Sequence, residues 1–346
     1  MEREIKLTSF LPKTRLEVKE TLIEKPKFPF IDGHSHLQLL GKKWFENPIE
    51  KMLEMMDFYG LKAVVDLDGL KNDEVLQSNI HHYKENAPDR FYHMAGIEWA
   101  QWPVKGNSFG EWAAESVEKK IKIGASGIKI WKNLGLHIKD EKQELVKVDD
   151  YRLDPIFEKA AQLQIPVYMH IADPVAFFDP VDEYNERWEE LSLRPDRSFH
   201  GKQFPSFQKI INQFANLIRR HKNTIFVGCH VAGYAENLSW VSSLLDECPN
   251  LFIDISGRIG ELGRQPYTSR RFFLKQQDRI IFGTDRMPEI EWYKIYARFL
   301  ETDDEYFNYF TTYPPRQGRW FIYGLNLPDS VLKKVYTENV LKIFKK

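Results

Sequence analysis

Residues 28–37, FPFIDGHSHL, carry a short apolar run that reads as a β-strand and runs directly into a pair of histidines. Side chains alternate faces along a strand, so His34 and His36 point the same way. Two imidazoles on one face can share a divalent metal ion, because neutral imidazole nitrogen is a good ligand for zinc and its neighbours. A His-x-His pair also occurs on ordinary surface strands. The metal reading therefore depends on whether the rest of the chain supplies further ligands at suitable places.

Composition limits what else the chain can be. Its 346 residues are 42% hydrophobic and 29% charged, enough apolar material for one large core. A formal net charge of -1 argues against a broad nucleic-acid or acidic-membrane surface and leaves a small-molecule substrate as the expected partner. The two cysteines, Cys229 and Cys248, lack a Cys-x-x-Cys spacing and read as buried thiols. No run has the apolar length of a membrane span, and the first twenty residues lack the apolar core of a signal peptide, so the cytoplasm is the expected location.

Outward from the histidine pair, the chain repeats a strand-then-helix rhythm. Strands are expected at 62–67, 91–97, 127–131, 165–170, 224–230, 251–256 and 280–285, with amphipathic helical stretches between them. Eight such strands fit a parallel (β/α)8 TIM barrel, whose chemistry sits at the C-terminal ends of the strands. That is where the polar residues fall: His34 and His36 on the first strand, Lys129 on the fourth, His170 on the fifth, His230 on the sixth and Asp285 on the eighth. Scattered core histidines have no reason to collect at one end of successive strands. The expected layout is an N-terminal arm over residues 1–27 and a single barrel domain over 28–346, with a long loop after strand five and a C-terminal helical extension.

At this point DGHSH, GIKIW, RLDPIFEKAAQLQIPVYMHIADP, FVGCHVAG and IIFGTDRMP together resemble the amidohydrolase superfamily. The likeness is to its amidohydrolase-related branch, which includes aminocarboxymuconate semialdehyde decarboxylase and related non-oxidative decarboxylases. The resemblance implies one divalent ion, zinc being the first choice and manganese or iron the alternatives. It implies His34, His36, His170 and Asp285 as ligands, with His230 and Asp285 as the catalytic proton carriers. Binuclear relatives bridge two metals with a carboxylated lysine on strand four, whereas this branch works with one. Lys129, which shares a strand face with Gly127 and Trp131 and should point into the barrel, is accordingly read as an ordinary cation.

Lys129, Trp131, Arg258 and Arg286 are the candidates for substrate binding, the arginines because guanidinium suits a carboxylate bidentately. Trp188 and His200 in the long loop are read as loop packing, and His81, His82 and His221 as solvated. The expected activity is metal-dependent hydrolysis of an amide, ester or lactone bond in a small molecule. The alternatives are non-oxidative decarboxylation of an unsaturated or aromatic carboxylic acid and a non-catalytic metal-binding barrel. Analogy with superfamily barrels adds a homodimer.

Overall fold

The computed structural model describes residues 4–38 and 48–344. Eight parallel strands, β1 (Phe30–Ser35), β2 (Leu61–Leu70), β3 (Phe91–Gly96), β4 (Gly127–Ile130), β5 (Val167–Met169), β6 (Phe226–Gly228), β7 (Leu251–Asp254) and β8 (Ile280–Ile281), pair in chain order. The regular part of β8 is short, yet the chain beyond it stays beside β1. Gly33 N–H donates to Phe282 O (2.9 Å), Asp285 N–H to His34 O (2.8 Å) and His36 N–H to Arg286 O (3.0 Å). These bonds close the ring into a (β/α)8 barrel. The seam is tight enough to require glycine, since a Cβ on Gly33 would meet Ile281 Cγ2 at 2.4 Å.

Strand alternation sorts the apolar residues into two layers. Phe30, Val64, Ile128, Ile130, Val167, Met169, Phe226 and Ile253 point outward and pack under the helices. Ile31, Ala63, Val65, Met94, Tyr168, Val227 and Ile281 point inward and fill the barrel. The helices bury one stripe each. In Phe207–Arg220, Phe207, Ile210, Ile211, Phe214, Leu217 and Ile218 recur at helical spacing and are all buried. Full burial of such a side chain is worth roughly 1.5–3 kcal/mol. The helix starts where the Ser206 side chain accepts from Lys209 N–H.

The C-terminal segment plugs the N-terminal end of the barrel. Val340 and Ile343 join the inward cluster, and the Asn339 amide donates to Gln277 O and Ile280 O, each at 2.8 Å. Residues 4–27 run along segment 302–321: Thr21 Oγ1 donates to Asp304 (2.6 Å), and Arg319 donates to the carbonyls of Leu7 (2.7 Å) and Phe10. Both cysteines are buried thiols. His221, expected in solvent, is instead buried against the Phe157 ring, with Nε2 2.9 Å from Asp154. Among the described residues no helix is long and apolar enough to cross a membrane.

Candidate active site

The strand ends bring the expected histidines and Asp285 to one mouth of the barrel, two of them on strained backbone. The chain leaves β6 through a left-handed turn, with φ of 59° at His230, 58° at Val231 and 54° at Ala232, and Asp285 sits at φ 61°. Such conformations cost on the order of 1–3 kcal/mol each for residues other than glycine and collect at functional sites. Here they are held through their own N–H groups, His230 N–H donating to the Asp254 side chain at Oδ1 (2.9 Å) and Asp285 N–H to the backbone carbonyl of His34 (2.8 Å).

His34, His36 and Asp285 form the tightest group. Nε2 of His34 and Nε2 of His36 lie 3.2 and 3.0 Å from the same Asp285 Oδ1. The other nitrogen of each ring is already committed: Nδ1 of His34 to Asp254 (2.8 Å), Nδ1 of His36 to Asp68 (2.9 Å). Burial opposes a charge on either ring, but Asp254 raises the pKa of His34 well above its usual value, and Asp285 and Asp68 raise that of His36. Burial would also lift the Asp285 carboxyl; hydrogen bonds from His34 and His36 overcome it and hold the group well below the usual carboxylate range. The three facing atoms thus require positive charge between them, supplied either by protons on Nε2 or by one cation bound to all three. Their mutual separations, within 4.8 Å, suit a metal ion. Two further groups of that size, His34–Cys229–Asp254 and His36–Asp66–Asp68, include the bonds that orient these rings.

His170 and His230 complete the arc. Their ring centroids are 4.3 Å apart, and His230 lies 4.8 Å from His34. Nδ1 of His230 faces Ser256 O at 2.8 Å, which makes it the donor and leaves Nε2, buried and without a partner among the described residues, as a lone-pair nitrogen. Burial and the neighbouring His170 push the pKa of His230 well below the ordinary histidine value. Burial likewise lowers His170 to about 4, against the pull of Asp173. Nε2 of His170 is 3.3 Å from Asp173 Oδ1, so this ring stands beside the three-residue group and not within it.

These residues form the floor of a cavity of about 280 Å3, with His36, Trp131, His170, His230 and Asp285 exposed to it. Its wall carries Lys132, Arg187, Arg197, Arg258 and Arg286. Most of these cations are matched: Lys132 contacts Asp173, Arg197 bonds Glu190 (2.9 Å), and Arg187 reaches Glu190 (3.0 Å) and Glu261. Arg258 stands 4.0 Å from Asp173. Arg286 lies over the rings of Trp292 (4.3 Å) and Phe310 (5.5 Å) with no acidic partner among the described residues.

Of the expected substrate contacts, Trp131, Arg258 and Arg286 line this cavity. Lys129 does not; it lies a layer deeper, its Nζ 3.2 Å from Cys229 Sγ and 5.0 Å from the centroid of the Trp131 ring. Trp188 borders a separate surface groove of about 780 Å3, which includes none of the strand-end residues, and His200 is exposed. Sequence reasoning missed Asp68, Asp254 and Ser256, which orient His34, His36 and His230, and Asp173, which faces His170. The signal available for the first two was a carboxylate on an otherwise apolar strand, in VVDLDGL and LFIDIS.

The sequence model of the amidohydrolase family matches residues 93–346. No curated protein is matched by sequence. Among solved structures, 2,6-dihydroxybenzoate decarboxylase from Rhizobium superposes with a TM-score of 0.53 at 14% identity, covering 92% of this chain and 98% of that one. A dihydroxybenzoic acid decarboxylase from Polaromonas sp. JS666, with bound manganese and the inhibitor 2-nitroresorcinol, gives 0.54 at 14%, covering 92% and 97%. A putative amidohydrolase from Staphylococcus aureus gives 0.54 at 15%, covering 91% and 99%. At these identities the likeness is one of fold. The barrel these structures share and the match over most of the chain lead to one conclusion: this protein belongs to the amidohydrolase family.

Proposed function

We propose that the protein is a divalent-metal-dependent carboxy-lyase acting on a small aromatic or unsaturated carboxylic acid. The observation that carries this reading is Arg286, a cation held on two aromatic rings at the cavity wall with no acid to neutralise it among the described residues. Guanidinium binds carboxylate bidentately, and Arg258, whose nearest carboxylate is 4.0 Å away, stands on the same wall. The names of the dihydroxybenzoate decarboxylases among the structural neighbours point the same way.

His34, His36 and Asp285 would hold the metal, with His170 turning from Asp173 to join them; zinc is the first choice, manganese or iron the alternatives. When bound, a divalent ion supplies positive charge that draws in a carboxylate and an adjacent hydroxyl. Trp131, stacked on His36 with centroids 5.4 Å apart, and Phe177 offer flat apolar walls to a ring. Arg258 and Arg286 orient the acid. The His230 Nε2 lone pair takes a proton from the substrate hydroxyl and returns it to the carbon that loses carbon dioxide. Lys129, placed beneath Trp131, would act on the substrate only through that ring and its positive charge.

Hydrolysis of an amide, ester or lactone, the first expectation from the sequence, uses the same residues, with His230 taking its proton from water. It has less behind it, because a neutral bond gives the unpaired arginine no role. A non-catalytic barrel has no observation in its favour. The test is a panel of hydroxybenzoic and unsaturated acids assayed for carbon dioxide release, beside amides, esters and lactones assayed for hydrolysis, with metal-loaded protein. Release of carbon dioxide supports the proposal, and turnover of the neutral substrates alone refutes it.

A further inference from the structure

Beneath the cavity floor, Lys129 and Cys229 meet inside the barrel. Lys129 is an inward residue of β4, Cys229 directly follows β6, and Nζ and Sγ are 3.2 Å apart with both residues buried. Cys229 packs in the interior cluster with Tyr168, Val227 and Met94, its Sγ also lies within 4.8 Å of a ring nitrogen of His34 and a carboxylate oxygen of Asp254, and the centroid of the Trp131 ring lies 5.0 Å from Lys129 Nζ. Among the described residues the thiol is the only group that hydrogen-bonds Lys129 Nζ, and no carboxylate is within ion-pair distance. Interiors normally match a lysine with an acid, because an unpaired buried amine is costly. This barrel instead sets one nucleophile against another.

We propose that Lys129 and Cys229 are a modification site at which dioxygen links the two side chains through one oxygen atom, as an N–O–S bridge. Written with both side chains in their uncharged forms, the thiol S–H, one N–H of the lysine amine and the O–O bond break; an S–O and an O–N bond form. The second oxygen leaves as water with the two released hydrogens. Sulfur and nitrogen each give up two electrons, and dioxygen takes all four. Dioxygen is small and apolar, so it can enter a core that excludes charged oxidants. One bridging oxygen spans roughly the separation already present between the two atoms, so neither strand must move far.

The bridge would tie β4 to the turn after β6. Trp131 is two residues past Lys129, and His230 is the residue after Cys229, so the bond would fasten together two parts of the cavity floor. Thiol reductants reverse sulfur–oxygen linkages of this kind, which makes the site redox-responsive. The inference rests on the packing of the pair and is independent of which reaction the cavity performs.

The experiment compares full-length protein purified anaerobically with the same protein held in air-saturated buffer, by intact mass, thiol titration and peptide mapping. The expected result is a gain of about 14 Da, one oxygen added and two hydrogens lost, with one of the two thiols lost. The map should show a Lys129–Cys229 cross-linked peptide, reversed by dithiothreitol. Cys229→Ser and Lys129→Arg should show no gain; if either variant misfolds, the cross-linked peptide of the unaltered protein decides by itself. No gain, gains of about 16 or 32 Da confined to Cys229, or a gain of about 44 Da on Lys129 from carboxylation would each overturn the proposal.

Discussion

His36 is held at both ends of its ring, with Nε2 3.0 Å from Oδ1 of Asp285 and Nδ1 2.9 Å from Oδ1 of Asp68. The contact joins β2, β1 and the chain beyond β8 through a single imidazole, and His34 repeats the arrangement with Asp254 in place of Asp68. An outer carboxylate that fixes ring orientation also raises the ring's basicity as a ligand. Asp68→Asn and Asp254→Asn should therefore weaken metal binding by about 10–100-fold without abolishing it. Competition against a chelator of known affinity measures the change; unaltered affinity in both variants would show that these carboxylates do not support the ligands.

Removing a ligand and removing a proton carrier should be distinguishable. His34→Ala and His36→Ala should strip most of the metal, measured as metal per chain by elemental analysis. His230→Asn should retain it while activity falls by about 10²–10⁴-fold, the usual contribution of a general acid–base group. An empty site in His230→Asn would instead make His230 a ligand.

Arg286→Met should raise KM for carboxylic acid substrates by about 10–100-fold, in line with roughly 1.5–3 kcal/mol for a hydrogen-bonded charge contact. Its effect on kcat should be smaller. Steady-state kinetics on the acid, with its methyl ester as a competitive inhibitor, checks this: an equal rise in KM for the acid and in Ki for the ester would remove carboxylate binding from the role of Arg286.

Arg187 and Glu261 pair in a buried position beside the cavity. Burial pushes the Glu261 carboxyl up, but Arg187 overcomes it and holds the group below the ordinary glutamate range. A depressed carboxylate pKa stabilises the fold above the unfolded value, and that stability is lost as pH falls through the folded value. Arg187→Met leaves the carboxylate buried and unpaired, which costs about 3–5 kcal/mol at neutral pH. The deficit should shrink between pH 7 and about pH 5, since Glu261 can then take up a proton. Urea denaturation at the two pH values measures it, and a deficit independent of pH would assign the loss to packing alone.

Much of the barrel was legible because its determinants are local. Ile128 and Ile130 pack outward while Lys129 points inward, as the alternation in GIKIW requires, and the helix Phe207–Arg220 follows from its apolar spacing. The histidine pair and the polar residues ending strands five, six and eight could be placed at one mouth for the same reason. His221 was misread because it ends a helix among charged neighbours, and only the fold sets Phe157 and Asp154 beside it. Asp173, three residues past His170 and facing it, was missed because its other partner, Lys132, is 41 residues away and only the fold brings the three together.

The sequence by itself determined the eight-strand rhythm, the face on which each strand residue stands and the residue types available for metal and proton chemistry. All of these follow from backbone periodicity, a property of a few neighbouring residues. Tertiary structure decided which of those residues converge. Asp285 meets His34 and His36 across 249 or more positions at the seam between the first and last strands, and Asp254 reaches His34 across 220. It also left Arg286 without an acid among the described residues and set Lys129 against a thiol. Such contacts depend on how far the sheet curls before it closes, and no spacing along the chain records that distance.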